Sequence, residues 1–180
     1  MTPLDSLLPL AADGTVLRRL APGDVQRFHA YRSDAGLARY QGWSPMTLPQ
    51  AQAFIDEMAG VATLRTGEWI QLAIAEPGTD RLIGDLGLFL DADGAAAELG
   101  FTLCREAQGR GHATRAVRAA TGLVHAACAA RTVRGVTDAR NRASMRVLER
   151  AAFSRSHTQD AVFKGEACTE VVYVHHRADR

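Results

Sequence analysis

Between a strand-like run, Glu98-Leu99-Gly100-Phe101-Thr102-Leu103, and a segment of helical apolar periodicity from about His112 to Ala130 lies the stretch Arg105-Glu106-Ala107-Gln108-Gly109-Arg110-Gly111. A strand that enters a helix through such a loop gathers the free N–H groups of the helix start around one point. Gly109 and Gly111 place no Cβ there to obstruct a ligand. The guest favoured by this arrangement is an anion, a phosphate above all.

Two common uses of a glycine loop fail on spacing. A nucleoside-triphosphate loop needs Gly-Lys-Ser or Gly-Lys-Thr, which does not follow here. A dinucleotide fingerprint needs a third Gly or Ala at a fixed offset and an early βαβ unit, and both are missing. What fits is Gln108-x-x-Gly111-x-Ala113, with Thr114 continuing into the helix.

The flanking chain predicts the frame. Val16 to Leu20 alternates like a strand. Ala21-Pro22-Gly23-Asp24 breaks it and opens a helix to about Ser33, with Val25, Phe28 and Tyr31 at helical spacing. After the aromatic turn Tyr40-Gln41-Gly42-Trp43-Ser44-Pro45, Thr47-Leu48-Pro49-Gln50 is a capping box. It opens a helix whose inner face is Ala51, Phe54, Ile55 and Met58. Trp69 to Ala75, Arg81 to Leu90 and Ala95 to Leu103 are strands joined by short turns, hence antiparallel hairpins. Beyond the loop helix come a strand at Val133 to Thr137, a helix at Arg142 to Ala152, and strands at Phe153 to His157 and Thr169 to His175. The expected fold is α/β, a mixed and mostly antiparallel sheet of about six to seven strands flanked by about four helices. It forms a single domain over residues 14–177, behind a loose tail over residues 1–13.

Composition narrows the partners. The chain has 180 residues and a formal net charge of +1, so nothing in its overall charge suits nucleic acid or an anionic membrane. The cysteines Cys104, Cys128 and Cys168 are scattered, without CxxC spacing or histidines at ligand distance. This argues against a disulfide framework and a zinc site and for a reducing compartment. The histidines are dispersed, and His175-His176 would point to opposite faces of a strand, so no metal is expected. No apolar run approaches a membrane span and Met1-Thr2-Pro3-Leu4-Asp5 lacks a basic leader, so a cytoplasmic location is expected. Basic residues are almost all arginine, with Lys164 the single lysine, a skew that codon bias explains.

A second stretch completes the pattern set by the loop: Val136-Thr137-Asp138-Ala139-Arg140-Asn141-Arg142-Ala143-Ser144, then Leu148, then Ala151-Ala152-Phe153. Together the two resemble the GCN5-related N-acetyltransferase superfamily. Its Gln/Arg-x-x-Gly-x-Gly/Ala loop wraps the pyrophosphate of acetyl-coenzyme A, and its second motif is a strand, an Asn-x-x-Ser helix and a Gly-Phe exit. The Asn-x-x-Ser form and Glu98-Leu99-Gly100-Phe101 look most like the branch that acetylates ribosomal-protein N-termini, the RimJ/RimL type. The resemblance spans roughly Val16 to His176. It departs at Ala152 in place of the exit glycine, at Leu148 where many members carry a thiolate-protonating tyrosine, and at Arg115 where an acid is common.

The resemblance implies acetyl-coenzyme A as co-substrate and an amine as acceptor, in a monomer or homodimer. Backbone groups of Phe101, Thr102 and Leu103 would bind the pantetheine arm. Gln108, Gly109, Arg110, Gly111, His112, Ala113 and Thr114 would hold the pyrophosphate. Asn141, otherwise a helix cap, would bond the pantetheine. Ser144 is the candidate proton donor to the leaving thiolate, although a surface serine is the plainer reading. Glu98 is the candidate general base, against the plainer reading of a solvated edge carboxylate, and Asp85 between Gly84 and Gly87 is its rival. Tyr40 and Trp43 would wall the acceptor pocket together with Asp85.

The amine must be neutral to attack. At pH 7 deprotonation costs roughly 4–5 kcal/mol for a lysine-like amine but about 1 kcal/mol for an α-amine. A site poor in bases therefore favours an α-amine of a protein or peptide, or a small amine of low pKa. The rival functions are a non-catalytic acyl-coenzyme A sensor, suggested by Leu148, and an acetyltransferase of aminoglycosides, which would need an acidic acceptor cleft.

Overall fold

In the computed structural model, which describes residues 1–178, eight strands form one sheet. They are β1 (Leu10–Ala11), β2 (Val16–Arg19), β3 (Trp69–Ala75), β4 (Leu82–Leu90), β5 (Ala96–Leu103), β6 (Thr132–Asp138), β7 (Ser154–Phe163) and β8 (Glu166–His176). The order is β1-β2-β3-β4-β5-β6-β8-β7, and every neighbouring pair is antiparallel except β5 and β6. The helices are α1 (Val25–Arg32), α2 (Ala35–Ala38), α3 (Leu48–Ala59), α4 (His112–Ala127) and α5 (Arg142–Arg150). The expected mixed α/β architecture holds, with one strand and one short helix more than foreseen.

Directly paired residues share a face of the sheet, which places the helices. Ala73, Asp85 and Thr102 form one such row, and Asp85 is bonded to Tyr31 and Arg32 of α1. Leu88, Leu99, Gly135 and Tyr173 form a row on the opposite face. There Leu148 of α5 sits so close that a Cβ on Gly135 would lie 2.6 Å from its Cδ2, and Glu149 accepts from the Tyr173 hydroxyl. Helix α4 buries Ala113, Ala116, Val117, Ala120, Leu123, Val124 and Ala127, a face of mostly small residues that lets its axis approach closely. Helix α3 starts at the expected capping box, where the Thr47 N–H donates to Gln50 and the Gln50 N–H to Thr47 Oγ1.

Two segments differ from expectation. Residues 1–13 are not loose: the Thr2 N–H bonds the Ala127 carbonyl, the Leu4 N–H bonds Ala62, Leu4 is 2% exposed, and β1 pairs with β2. A short turn of helix at Leu4–Ser6 gives the apolar residues Leu4, Leu7 and Leu10 neither a helical nor a strand period across the segment. The last two strands are also longer than expected and meet in a tight hairpin at Lys164 (φ 51°) and Gly165 (φ 82°). Strand β7 is largely exposed, so it lacks the alternation of polar and apolar residues by which a strand is read. Among the described residues, no helix is long and apolar enough to cross a membrane.

Candidate active site

The parallel pairing of β5 with β6 ends at Leu99 and Gly135, although β5 runs on to Leu103 and β6 to Asp138. Past that point the strands part and leave the β5 edge open. The Phe101 carbonyl there accepts from Gln41 Nε2 at 3.2 Å and the Leu103 carbonyl from Gln108 Nε2 at 3.1 Å. In an antiparallel strand the N–H of a residue points the same way as its carbonyl, so the N–H groups of Phe101 and Leu103 face the gap as well. The gap is a cleft of about 350 Å³, with β5 on one wall and Asn141, Ala143, Ser144 and Val147 on the other.

The glycine loop closes one end of this cleft. Gly109 (φ 76°) and Gly111 (φ 80°) are both left-handed, and Gly111 is the N-cap of α4 with no side-chain cap over the first N–H groups. A Cβ at Gly109 would meet nothing within 4 Å, so the loop is open on the side from which an anion would approach. Gln108, Gly109 and Ala113 line the cleft, while the Arg110 side chain is exposed and Thr114 is half-buried.

The His112 side chain turns inward. It is 8% exposed, its Nδ1 lies 2.9 Å from Thr15 Oγ1, and burial followed by the Arg115 charge holds its pKa below the ordinary histidine value. Arg115 is half-buried beside the loop. Its Nη2 donates to the Arg110 carbonyl and its Nε to Thr15, so it braces the loop from behind.

Opposite β5, Asn141 Oδ1 accepts from the Ser144 N–H at 3.2 Å, the N-cap bond of α5. Both residues line the cleft, and among the described residues no protein group is bonded to the Ser144 hydroxyl. Leu148 does not line the cleft but packs on Gly135. Ala152 adopts φ 68°, the left-handed exit for which glycine is suited.

A second cleft, of about 330 Å³, lies on the α1 and α3 side of the sheet, lined by Arg32, Trp43, Met46, Phe54, Trp69, Gln71, Gly87 and Gly100 among others. Gln41, Phe101 and Thr102 line both clefts, which therefore adjoin across the open edge of β5. Trp43 walls the second cleft, whereas Tyr40, grouped with it in the sequence, lines the first. Lys164 fixes this corner by donating to the carbonyls of Ala38 and Trp43 at 2.8 and 2.7 Å.

Asp85, expected at the acceptor pocket, is 0% exposed and lies beneath it, bonded to Tyr31 Oη, Arg32 and Gln71 Nε2. With every edge of its carboxylate taken by these donors, Asp85 does not line the second cleft. Glu98 lines neither cleft. It is half-buried in the row of Trp69 and Phe89, and burial raises its pKa above the ordinary value.

The second cleft contains residues that were not singled out from the sequence: Arg32, Gln41, Trp69 and Gln71. Two left a signal. Arg32 stands four residues after Phe28 on the apolar face of α1, and Gln71 interrupts the apolar run Trp69 to Ala75.

A model of the acetyltransferase (GNAT) domain family matches residues 15–154. Among solved structures, the GNAT-family acetyltransferase from Bacillus anthracis superposes with a TM-score of 0.82 at 17% identity, covering 93% of this chain and 97% of that one. The Salmonella typhimurium acetyl transferase that modifies the N-terminal serine of ribosomal protein L7/L12 gives 0.79 at 15%, covering 94% and 99%. The microcin C7 self-immunity acetyltransferase MccE, solved with acetyl-CoA and AMP, gives 0.77 at 14%, covering 92% and 93%. No curated protein matches the sequence. With a domain match across most of its length and a glycine loop at the mouth of a parted parallel strand pair, the chain belongs to the GNAT family of acetyltransferases.

Proposed function

We propose that this enzyme transfers an acetyl group from acetyl-coenzyme A directly to the α-amine of a peptide, protein or small molecule, with both substrates bound together. The observation that carries the proposal is the junction of the two clefts at Phe101 and Thr102. One cleft has an anion-binding loop at its end and an open strand edge along its wall, which suits a pyrophosphate followed by a pantetheine arm. The other opens on the same residues from the far side.

The residues divide the work. Bound acetyl-coenzyme A supplies an activated acyl group. The N–H groups of Phe101 and Leu103 bind the arm as an added strand would be bound, and an N–H at this open edge polarises the acyl carbonyl. Asn141 caps α5 and so fixes Ser144, whose unbonded hydroxyl donates a proton to the departing sulfur. A thiol of pKa about 8.5 needs no stronger acid. Among the described residues, the second cleft is lined by no carboxylate, so no base touches the amine, and Glu98 acts at most through water. That scarcity favours an α-amine, whose neutral form costs only about 1 kcal/mol at pH 7. The Salmonella relative, which modifies an N-terminal serine, supports the same acceptor class and the ribosomal-protein branch.

The test is thiol release from acetyl-coenzyme A across peptides with free N-termini, lysine side chains, polyamines and aminoglycosides. The α-amines should react fastest. Saturable binding of the coenzyme without thiol release from any amine would instead identify a sensor.

A further inference from the structure

The guanidinium of Arg32 is 3% exposed, and two of its three nitrogens are committed. Nε and Nη2 donate to Asp85, which Tyr31 Oη and Gln71 Nε2 also bond, so the carboxylate has no free edge. Nη1 is bonded to no protein group among the described residues. It is not sealed off either, because only Trp43 Nε1, His125 Nε2 and His175 Nδ1 are both unpartnered and enclosed. Arg32 lines the second cleft, and Nη1 is its one guanidinium nitrogen without a protein partner among the described residues. Three rings hold it in place, with Trp43 at 4.5 Å, Phe28 at 4.9 Å and Phe54 at 5.8 Å from its central carbon. A pre-positioned donor at the wall of a largely apolar cavity selects for a ligand oxygen.

The remaining wall is apolar or aromatic: Trp43, Trp69, Phe54 and Met46. A Cβ on Gly100 would meet nothing within 4 Å, whereas one on its partner Gly87 would lie 2.9 Å from Gln71 Oε1, so the room for a side chain lies over Gly100.

We infer that this cleft recognises an α-aminoacyl group with an apolar or aromatic side chain, and that Arg32 Nη1 binds its carbonyl or carboxylate oxygen. Polycationic acceptors, which would meet a fixed guanidinium and no free carboxylate, are excluded. The inference rests on the transferase reading above, in which the same cleft presents the amine. On transfer the amine nitrogen bonds the acyl carbon, the carbon–sulfur bond breaks, and the amine proton is balanced by the thiol formed.

The protein contains two tryptophans, Trp43 and Trp69, and both line this cleft, so intrinsic fluorescence reports on it without turnover. With coenzyme A present, N-acetylphenylalaninamide, N-acetylphenylalanine and N-acetylphenethylamine are titrated. The amide represents a peptide terminus, the acid a free amino acid, and the third compound lacks the oxygen. At least one of the first two should bind about tenfold or more tightly than the third, and whichever binds better identifies the source.

Replacing Arg32 alone would strand Asp85, so the variant to use is Arg32→Gln with Asp85→Asn, which should abolish the preference while leaving the coenzyme dissociation constant unchanged. Equal binding of all three compounds by the wild type, or an undiminished preference in the double variant, overturns the inference. Preferential acetylation of an aminoglycoside also overturns it. Should the preference hold while no amine elicits thiol release, the acyl-transfer reading fails and the recognition of an aminoacyl group stands.

Discussion

The two sides of β5 are built by different means. One wall and the end of the first cleft are made of backbone, namely the carbonyl and N–H groups of Phe101 and Leu103, two left-handed glycines and the uncapped start of α4, all within residues 101–113, while Asn141, Ser144 and Val147 form the facing wall. The acceptor side is made of side chains drawn from α1, the aromatic turn, α3, β3, β4 and β5. The backbone wall of the first cleft is thus set by one short stretch, whereas the second cleft depends throughout on how distant elements pack. Substitutions should reveal that contrast.

The largest effect is expected on the acceptor side. Asp85→Ala leaves the Arg32 charge, the Tyr31 hydroxyl and the Gln71 amide without their shared partner, which should destabilise the fold by about 3–5 kcal/mol. Denaturant unfolding measures this, and a loss under about 1 kcal/mol would mean that water replaces the carboxylate readily.

Next is Ser144→Ala. Removal of a proton donor should lower kcat about a hundredfold while coenzyme affinity stays nearly intact, and unchanged turnover removes Ser144 from the chemistry. Gly111→Val should act on the coenzyme side alone. A β-branched residue at φ 80°, pressed toward Arg115, should weaken coenzyme binding by about tenfold to a hundredfold in calorimetry, with little change in acceptor KM.

The smallest effect concerns Glu98. Burial raises its pKa, so ionising it opposes folding; that penalty is absent below about pH 4, where both states hold the proton, and complete above the folded-state value. Glu98→Gln should therefore raise Tm by about one or two degrees at neutral pH and not at all below pH 4. A fall in kcat/KM beyond the few-fold expected of a bystander would instead support its role as a base through water.

The same contrast governs what the sequence reveals. Gln108 to Ala113 and Asn141 to Ser144 are local patterns, and Gly109 and Gly111 are each required by a backbone angle, so the loop and the capped start of α5 are legible without a structure. Asp85 was placed at the pocket because a carboxylate between glycines is visible in sequence. Its burial under Arg32 depends on α1 crossing β4, which no local pattern encodes. Tyr40 and Trp43 lie three residues apart in one turn, yet face different clefts. The tail was misread for a similar reason, since Leu4 is anchored to Ala62 and Thr2 to Ala127, partners far along the chain.

The central claim is that two separately built clefts meet at one stretch of β5, and Gly100→Val tests it most directly. A Cβ at this position meets no protein atom within 4 Å, and Gly100 lines the second cleft but not the first. The measurement is coenzyme affinity by calorimetry beside thiol release with peptide α-amines. The account predicts an unchanged coenzyme dissociation constant and transfer reduced by at least about a hundredfold. Equal loss of both, or retention of full transfer, would contradict it.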